Sequence, residues 1–163
     1  MERPGLIAAV TERLLWRDFS ALRPEELHAV LRLRCDVFIV EQACAFADID
    51  GNDPLARHLL AFVGPDLVGC LRIFAPGVTG AAARIGRIVV TRPLRSNGVG
   101  RRLIAAGLAE IERLHGPVPV DLAAQSYLER FYAALGFVRI SPDYLEDGIP
   151  HCDMQKTDRF CPP

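Results

Sequence analysis

The chain has 163 residues, half of them hydrophobic, which suits a single domain, 1–163, with a substantial core. A formal net charge of −1 gives no bulk field toward nucleic acid or an anionic membrane, so neither is expected as a partner. No apolar stretch reaches the length of a membrane span, and the run 6–10 is too short for a signal peptide's core, which makes the cytoplasm the expected location.

Residues 1–12 read as a loosely attached end, and residues 14–18 as a first strand. Pro24, Glu25 and Glu26 suit the first turn of a helix. Leu27, Val30, Leu31, Leu33, Arg34, Val37 and Phe38 continue it at helical spacing. Residues 41–54 are acidic and turn-rich, a loop. A three-strand meander follows at 58–63, 67–74 and 83–91, broken by Gly64-Pro65-Asp66 and by the loop 76–80. A helix over 99–114 ends at Gly116-Pro117, a buried strand occupies 118–123, and a second helix over 126–135 is closed by Gly136. Strands at 137–140 and 152–156 complete a mixed α/β layer. The cysteines at 35, 44, 70, 152 and 161 contain no CxxC pair and the histidines are scattered, so neither a disulfide framework nor a metal site is expected.

The densest information lies in 85–108. The β-branched run Ile88-Val89-Val90 gives way to Arg95-Ser96-Asn97-Gly98-Val99-Gly100, and Arg101 and Arg102 then open an amphipathic helix. Two glycines before a helix let the backbone approach a ligand and turn several N–H groups the same way. With the helix dipole and three flanking arginines they form a cradle for a diphosphate. A Walker loop is excluded, since no GxxxxGK run exists, and a dinucleotide fingerprint lacks its third glycine, Leu103 standing there. Arg72 and Arg87 interrupt two apolar strands that should be neighbours, and a buried arginine must be paired. They read either as structural partners of Glu41, Asp48 or Asp50, or as a clamp for an acidic group on a substrate.

The pattern R-x-x-G-x-G after a strand resembles the acetyl-CoA loop of the GNAT acetyltransferase superfamily. Residues 125–137, QSYLERFYAALGF, look like that superfamily's later helix with its Tyr-x-x-x-Gly-Phe ending. The segments 34–42, 48–51 and 146–151 are similar to its ElaA-like branch. The resemblance implies a central mixed sheet of about six or seven strands flanked by about four helices, with a gap between the fourth and fifth strands that admits pantetheine. It implies an acyltransferase moving an acetyl group from acetyl-CoA to a primary amine of a small molecule or peptide by direct attack, with no metal. Ile88, Val89 and Val90 would then lie along pantetheine and residues 95–101 on the pyrophosphate. Gln125 stands where relatives often carry an Asn that bonds the pantetheine arm. Tyr132 falls at the family's proton donor, although a core tyrosine satisfies the same periodicity. Many relatives place a glutamate on the fourth strand, and this strand has none. Candidates for the general base elsewhere are His58 at a strand start, Glu41 at the first helix's end, and Asp48 or Asp50 in the acidic loop. Two other readings are a CoA-binding protein without catalysis and an acyl-CoA-dependent synthase of a signalling lipid. The identity of the amine and the oligomeric state, a homodimer included, stay open.

Overall fold

The computed structural model describes residues 11–157. Strand β1 (Arg13–Asp18) leads into helix α1 (Pro24–Arg34), whose start is built as the sequence suggests. Pro24 takes a first-turn position and the Glu26 carboxylate accepts the Arg23 N–H at 3.0 Å, closing a capping box. The same carboxylate binds Arg17 on β1 at 3.2 Å, which pins the helix to the sheet. Beyond Arg34 the winding widens into a π-helical segment, Cys35–Glu41. The Gln42 N–H reaches back to Val37 O at 3.2 Å and the Cys44 N–H to Ile39 O at 3.1 Å, five residues each time.

The meander is β2 (Arg57–Val63), β3 (Asp66–Phe74) and β4 (Ala83–Val90), followed by α2 (Val99–His115) and β5 (Val120–Gln125). A 3-10 turn, Ser126–Leu128, precedes the short helix α3 (Glu129–Ala133), and β6 (Val138–Arg139), β7 (Tyr144–Glu146) and β8 (Ile149–Lys156) finish the chain. The sheet runs β1-β2-β3-β4-β5-β8-β6, with β7 paired to β8. Every pairing is antiparallel except β4 with β5.

Strand residues alternate between two cores. Leu59, Leu71, Ile85, Leu122, Cys152 and Met154 meet Leu103, Ile104, Leu108 and Ile111 of α2, together with Tyr132 and Phe137. On the other face Leu60, Cys70 and Val89 meet Val30, Leu33 and Val37. Fully burying each such side chain is worth about 1.5–3 kcal/mol, so the two cores clamp the sheet from both sides.

The mixed α/β class is as expected, with several departures in detail. Three α-helices stand where about four were expected, and β8 begins at Ile149 rather than at 152. The hairpin strand β7 adds an eighth strand. Asp147 (φ 50°) and Gly148 (φ 79°) form the tight turn that joins it to β8. The helix anticipated over 126–135 is a 3-10 turn plus five residues, and β5 begins two residues later than anticipated. Residues 1–10 of the segment expected to be loose lie outside the described residues, whereas Glu12 is buried against Arg102. The described cysteines, 35, 44, 70 and 152, are free, and Cys161 lies outside the described range.

Close approach of α2 to the sheet gives a stability test. A Cβ at Gly69 would stand 2.9 Å from Leu103 Cδ1 and 3.1 Å from the Val89 carbonyl oxygen, whereas one at Gly86 meets nothing within 4 Å. Gly69→Ala should cost about 1–3 kcal/mol in urea denaturation, and Gly86→Ala much less. Equal losses would contradict this packing.

Candidate active site

Only Ala83 with Val120 and Arg84 with Asp121 join β4 to β5. β5 instead pairs with β8 along its whole length, from Val120–Lys156 to Gln125–His151. Beyond Arg84 the two parallel strands part and leave a wedge that opens toward their C-terminal ends. β4 is also bulged there. Cys70 pairs with Val89 and Arg72 with Gly86, so Leu71 faces both Arg87 and Ile88, and Arg87 has φ 50°. Ile88 and Val90 pack toward α2 and α3, and Val89 toward α1.

The glycine loop stands at the open end of this wedge. After a 3-10 turn at Arg92–Leu94, Ser96 (φ 68°) and Gly98 (φ 77°) both take left-handed conformations, and α2 begins at Val99. Glycine does this without strain, while serine carries a penalty of about 1–2 kcal/mol. The Arg102 N–H donates to Gly98 O at 3.0 Å, so the N–H groups of Val99, Gly100 and Arg101 precede the first closed turn. A Cβ on Gly100 would lie 3.8 Å from both Val90 Cγ2 and Phe131 Cζ, which puts β4, α2 and α3 in one place. Arg95 folds back, donating to Val90 O at 3.0 Å and gripping both Glu41 oxygens. Arg102 donates to Asn97 O at 3.1 Å and to the Glu12 carboxylate. Arg101 is exposed and has no ion pair among the described residues. These features fit a diphosphate: open N–H groups, the positive end of a helix and a free guanidinium.

Tyr132 on α3 is 6% exposed, edge-on to Phe131 and Phe137 at centroid distances of 5.2 and 6.1 Å. Burial pushes its phenol up to about 12, and no hydrogen-bond partner stands at its hydroxyl among the described residues. Gln125, the last residue of β5, donates from Nε2 to Gln42 Oε1 at 3.1 Å and so ties the wedge's mouth to the end of the π-helical segment.

The other sequence candidates are engaged elsewhere. Arg34, 1% exposed, donates to Asp48 Oδ2 and Asp53 Oδ1, each at 2.8 Å, and to the Asp48 carbonyl at 2.9 Å. Arg72, 5% exposed, binds Asp50 at 2.6 and 2.9 Å and Asp53 at 2.9 Å. Arg87 lies 2.8 Å from Asp48 Oδ1, an ionic contact without hydrogen-bond alignment, and donates to the Asp48 carbonyl at 3.1 Å. The Arg72 guanidinium holds the Asp50 carboxyl well below the usual range. Burial pushes Asp53 up, but its bonds to Arg34 and Arg72 more than reverse this. His58, 2% exposed, has Nε2 2.9 Å from the Asp53 carbonyl, so that nitrogen carries the proton and donates. Glu41 is the partner of Arg95, which lowers its carboxyl's pKa. The structure puts the loop and Gln125 at the wedge and Tyr132 in the neighbouring core, next to Phe131 that faces Gly100; the bulge and the partners of the arginines are tertiary features with no signal in the sequence.

The profile of the acetyltransferase (GNAT) domain matches residues 30–158. The chain belongs to the GNAT acetyltransferases. This GNAT protein is 39% identical to protein ElaA of Escherichia coli (strain K12) over 145 residues, covering 86% of this chain and 95% of ElaA. The crystal structure of E. coli ElaA superposes with a TM-score of 0.84 at 36% identity, covering 90% of this chain and 99% of that one. An acyl-CoA N-acyltransferase from Pseudomonas aeruginosa gives 0.86 at 36% identity with the same coverage. FeeM, an N-acyl amino acid synthase from uncultured soil microbes, gives 0.72 at 18% identity over 90% of this chain and 92% of FeeM, a likeness of fold alone.

His58 makes the loop's anchorage pH-dependent. Burial lowers its pKa, so folding favours the neutral ring. That stability is complete above the unfolded imidazole's pKa of about 6.5 and is lost as pH falls through the lower folded value. The urea midpoint should therefore drop between pH 7.5 and 5.5, and drop less in His58→Gln. An identical drop in both would refute the assignment.

Proposed function

We propose that this GNAT acyltransferase moves an acetyl group from acetyl-CoA to a primary amine of a small molecule or peptide by direct attack, and that it does so in the cytoplasm. The observation that carries this reading is the wedge: β4 loses β5 as a partner after Arg84 while staying paired with β3, and its free edge ends at the glycine loop. A free strand edge is a template for an extended chain with amide groups, and pantetheine is such a chain. It would run along Ile88, Val89 and Val90, with the diphosphate on the N–H groups of residues 96–101 and its charge met by Arg101. Arg95 shapes the loop through its bonds to Val90 and Glu41. The Gln125 side-chain carbonyl, whose amide nitrogen holds Gln42, would accept a pantetheine N–H.

The reaction forms a bond from the amine nitrogen to the thioester carbon and breaks the carbon–sulfur bond. The bulge interrupts the regular β3–β4 ladder, and a β4 backbone N–H there would serve as a donor to the developing oxyanion. The departing sulfur takes its proton from the Tyr132 hydroxyl, which its raised pKa keeps protonated at neutral pH. Glu41 and His58, each with its proton chemistry committed to another group, hold the loops in place in this reading. Arg72 and Arg87 do the same through the aspartates, which leaves Arg87, the more exposed of the two, as the one within reach of an acidic group on the acceptor.

Thiol release from acetyl-CoA over a panel of primary amines tests the proposal. Tyr132→Phe should lower kcat by about 10² or more while CoA affinity and the melting midpoint barely move. Gly98→Val, which puts a β-branched residue at φ 77°, should weaken CoA binding by about tenfold or more in calorimetry. Wild-type turnover only with long-chain acyl-CoA, or CoA binding with no turnover at all, would overturn acetyl transfer.

A further inference from the structure

The base in this reaction is unassigned once Glu41 and His58 are engaged, and β8, one strand beyond the wedge, carries a histidine with a different arrangement. Along β5 and β8, Leu122, Ala124, Cys152 and Met154 belong to the core under α2 and α3. Alternation therefore sends Gln125 and its register partner His151 to the opposite face. Tyr132 lies in the α2 and α3 core, so Tyr132 and His151 flank the strands from opposite sides. An amine adds to a thioester carbon from one face of the carbonyl plane, so the group that takes the amine's proton and the group that protonates the sulfur serve different atoms. With Tyr132 on one face of the sheet, His151 is on the other, where it does not compete for the sulfur.

The surroundings of His151 fix its protonation pattern. Nδ1 is 2.8 Å from the Ile149 carbonyl oxygen, which only accepts, so Nδ1 carries the proton and Nε2 of the neutral ring carries a lone pair. Nε2 is 3.9 Å from Glu146 Oε2, too far for a hydrogen bond but close enough to stabilise an imidazolium. The ring stacks on Tyr144 with centroids 6.2 Å apart and planes 23° apart, and its side chain is 13% exposed. The Tyr144 hydroxyl donates to Asp153 Oδ1 at 2.9 Å, which locks that platform. The charged groups facing the imidazole are thus Glu146 on β7 and Asp153 on β8, with Arg84 of β4 near Tyr144. The ring is oriented, its lone pair is available, and a carboxylate waits for the charged form.

We propose that His151 is the general base: Nε2 takes the proton from the acceptor's ammonium as the nitrogen lone pair attacks the thioester carbon, and Glu146 stabilises the imidazolium that results. The sulfur receives its separate proton from Tyr132. This rests on the acetyl-transfer reading above.

The test uses the full chain, acetyl-CoA and the primary amine that the wild-type protein turns over fastest. His151→Gln should lower kcat/KM for that amine by about 10² or more and abolish the ascending limb of its pH profile, with CoA affinity unchanged. Glu146→Gln should lower kcat/KM for the same amine by a smaller factor than His151→Gln, with CoA affinity unchanged. Nitrogen NMR of the wild-type protein, which needs no variant to fold, should find Nδ1 protonated and Nε2 bare in the neutral ring. A neutral ring protonated at Nε2, or an amine kcat/KM unmoved by His151→Gln, would overturn the role of His151 alone. A wild-type protein that acetylates no amine would overturn the transfer reading, and the base with it.

Discussion

Two residue pairs, Ala83 with Val120 and Arg84 with Asp121, hold β4 to β5, and the site is arranged around the wedge that begins where they stop. β5 parts from β4 there while it stays paired with β8 over six pairs. The bulge at Arg87 turns β4 as well. Opening a sheet in its middle exposes backbone groups on two edges, which is costly unless something takes their place. The structure bears this by clamping both faces, with α2 and α3 over one and α1 over the other. Two side-chain straps cross near the mouth: Arg95 to Glu41, and Gln125 to Gln42.

Both straps end on the π-helical segment, and a buried charge network fixes the loop that follows it. Arg34 at the end of α1, Arg72 on β3 and Arg87 on β4 share Asp48, Asp50 and Asp53 of that loop. Such a network adds little net stability, since desolvation offsets most of the Coulomb gain. Its effect is specificity. Stranding one of these charges would cost about 3–5 kcal/mol, so the loop has one arrangement in which every charge is met. That arrangement puts Asp53 under His58 and carries the chain from the wedge's mouth back to β2.

The parts of the fold that could be read in the sequence are those whose signals are local. Gly64-Pro65-Asp66 and the apolar runs around it gave the meander, and Gly98 and Gly116 bracketed α2 where the structure puts its ends. The π-helical segment was hidden because Val37 and Phe38 fit ordinary helical spacing equally well. The hairpin of β7 and β8 has a local signal, Asp147-Gly148, but β7 before it is three residues long, too short to show an alternation. α3 was overextended because Ser126, Tyr127 and Leu128 suit a helix by composition, while a 3-10 turn bends the chain there. The partners of Arg72 and Arg87 depend on how a loop folds across three elements, and no periodicity encodes that. His151 looked isolated in the sequence because its partners, a carbonyl two residues away and a carboxylate across a turn, leave no motif.

The central claim is that the wedge and the N-terminus of α2 form one site for an acyl-CoA. A crystal structure of the protein with CoA tests it directly. The account predicts diphosphate oxygens within hydrogen-bonding distance of the N–H groups of residues 96–101, and pantetheine lying against Ile88, Val89 and Val90 between β4 and β5. A diphosphate bound away from the glycine loop, or pantetheine outside the wedge, would contradict it.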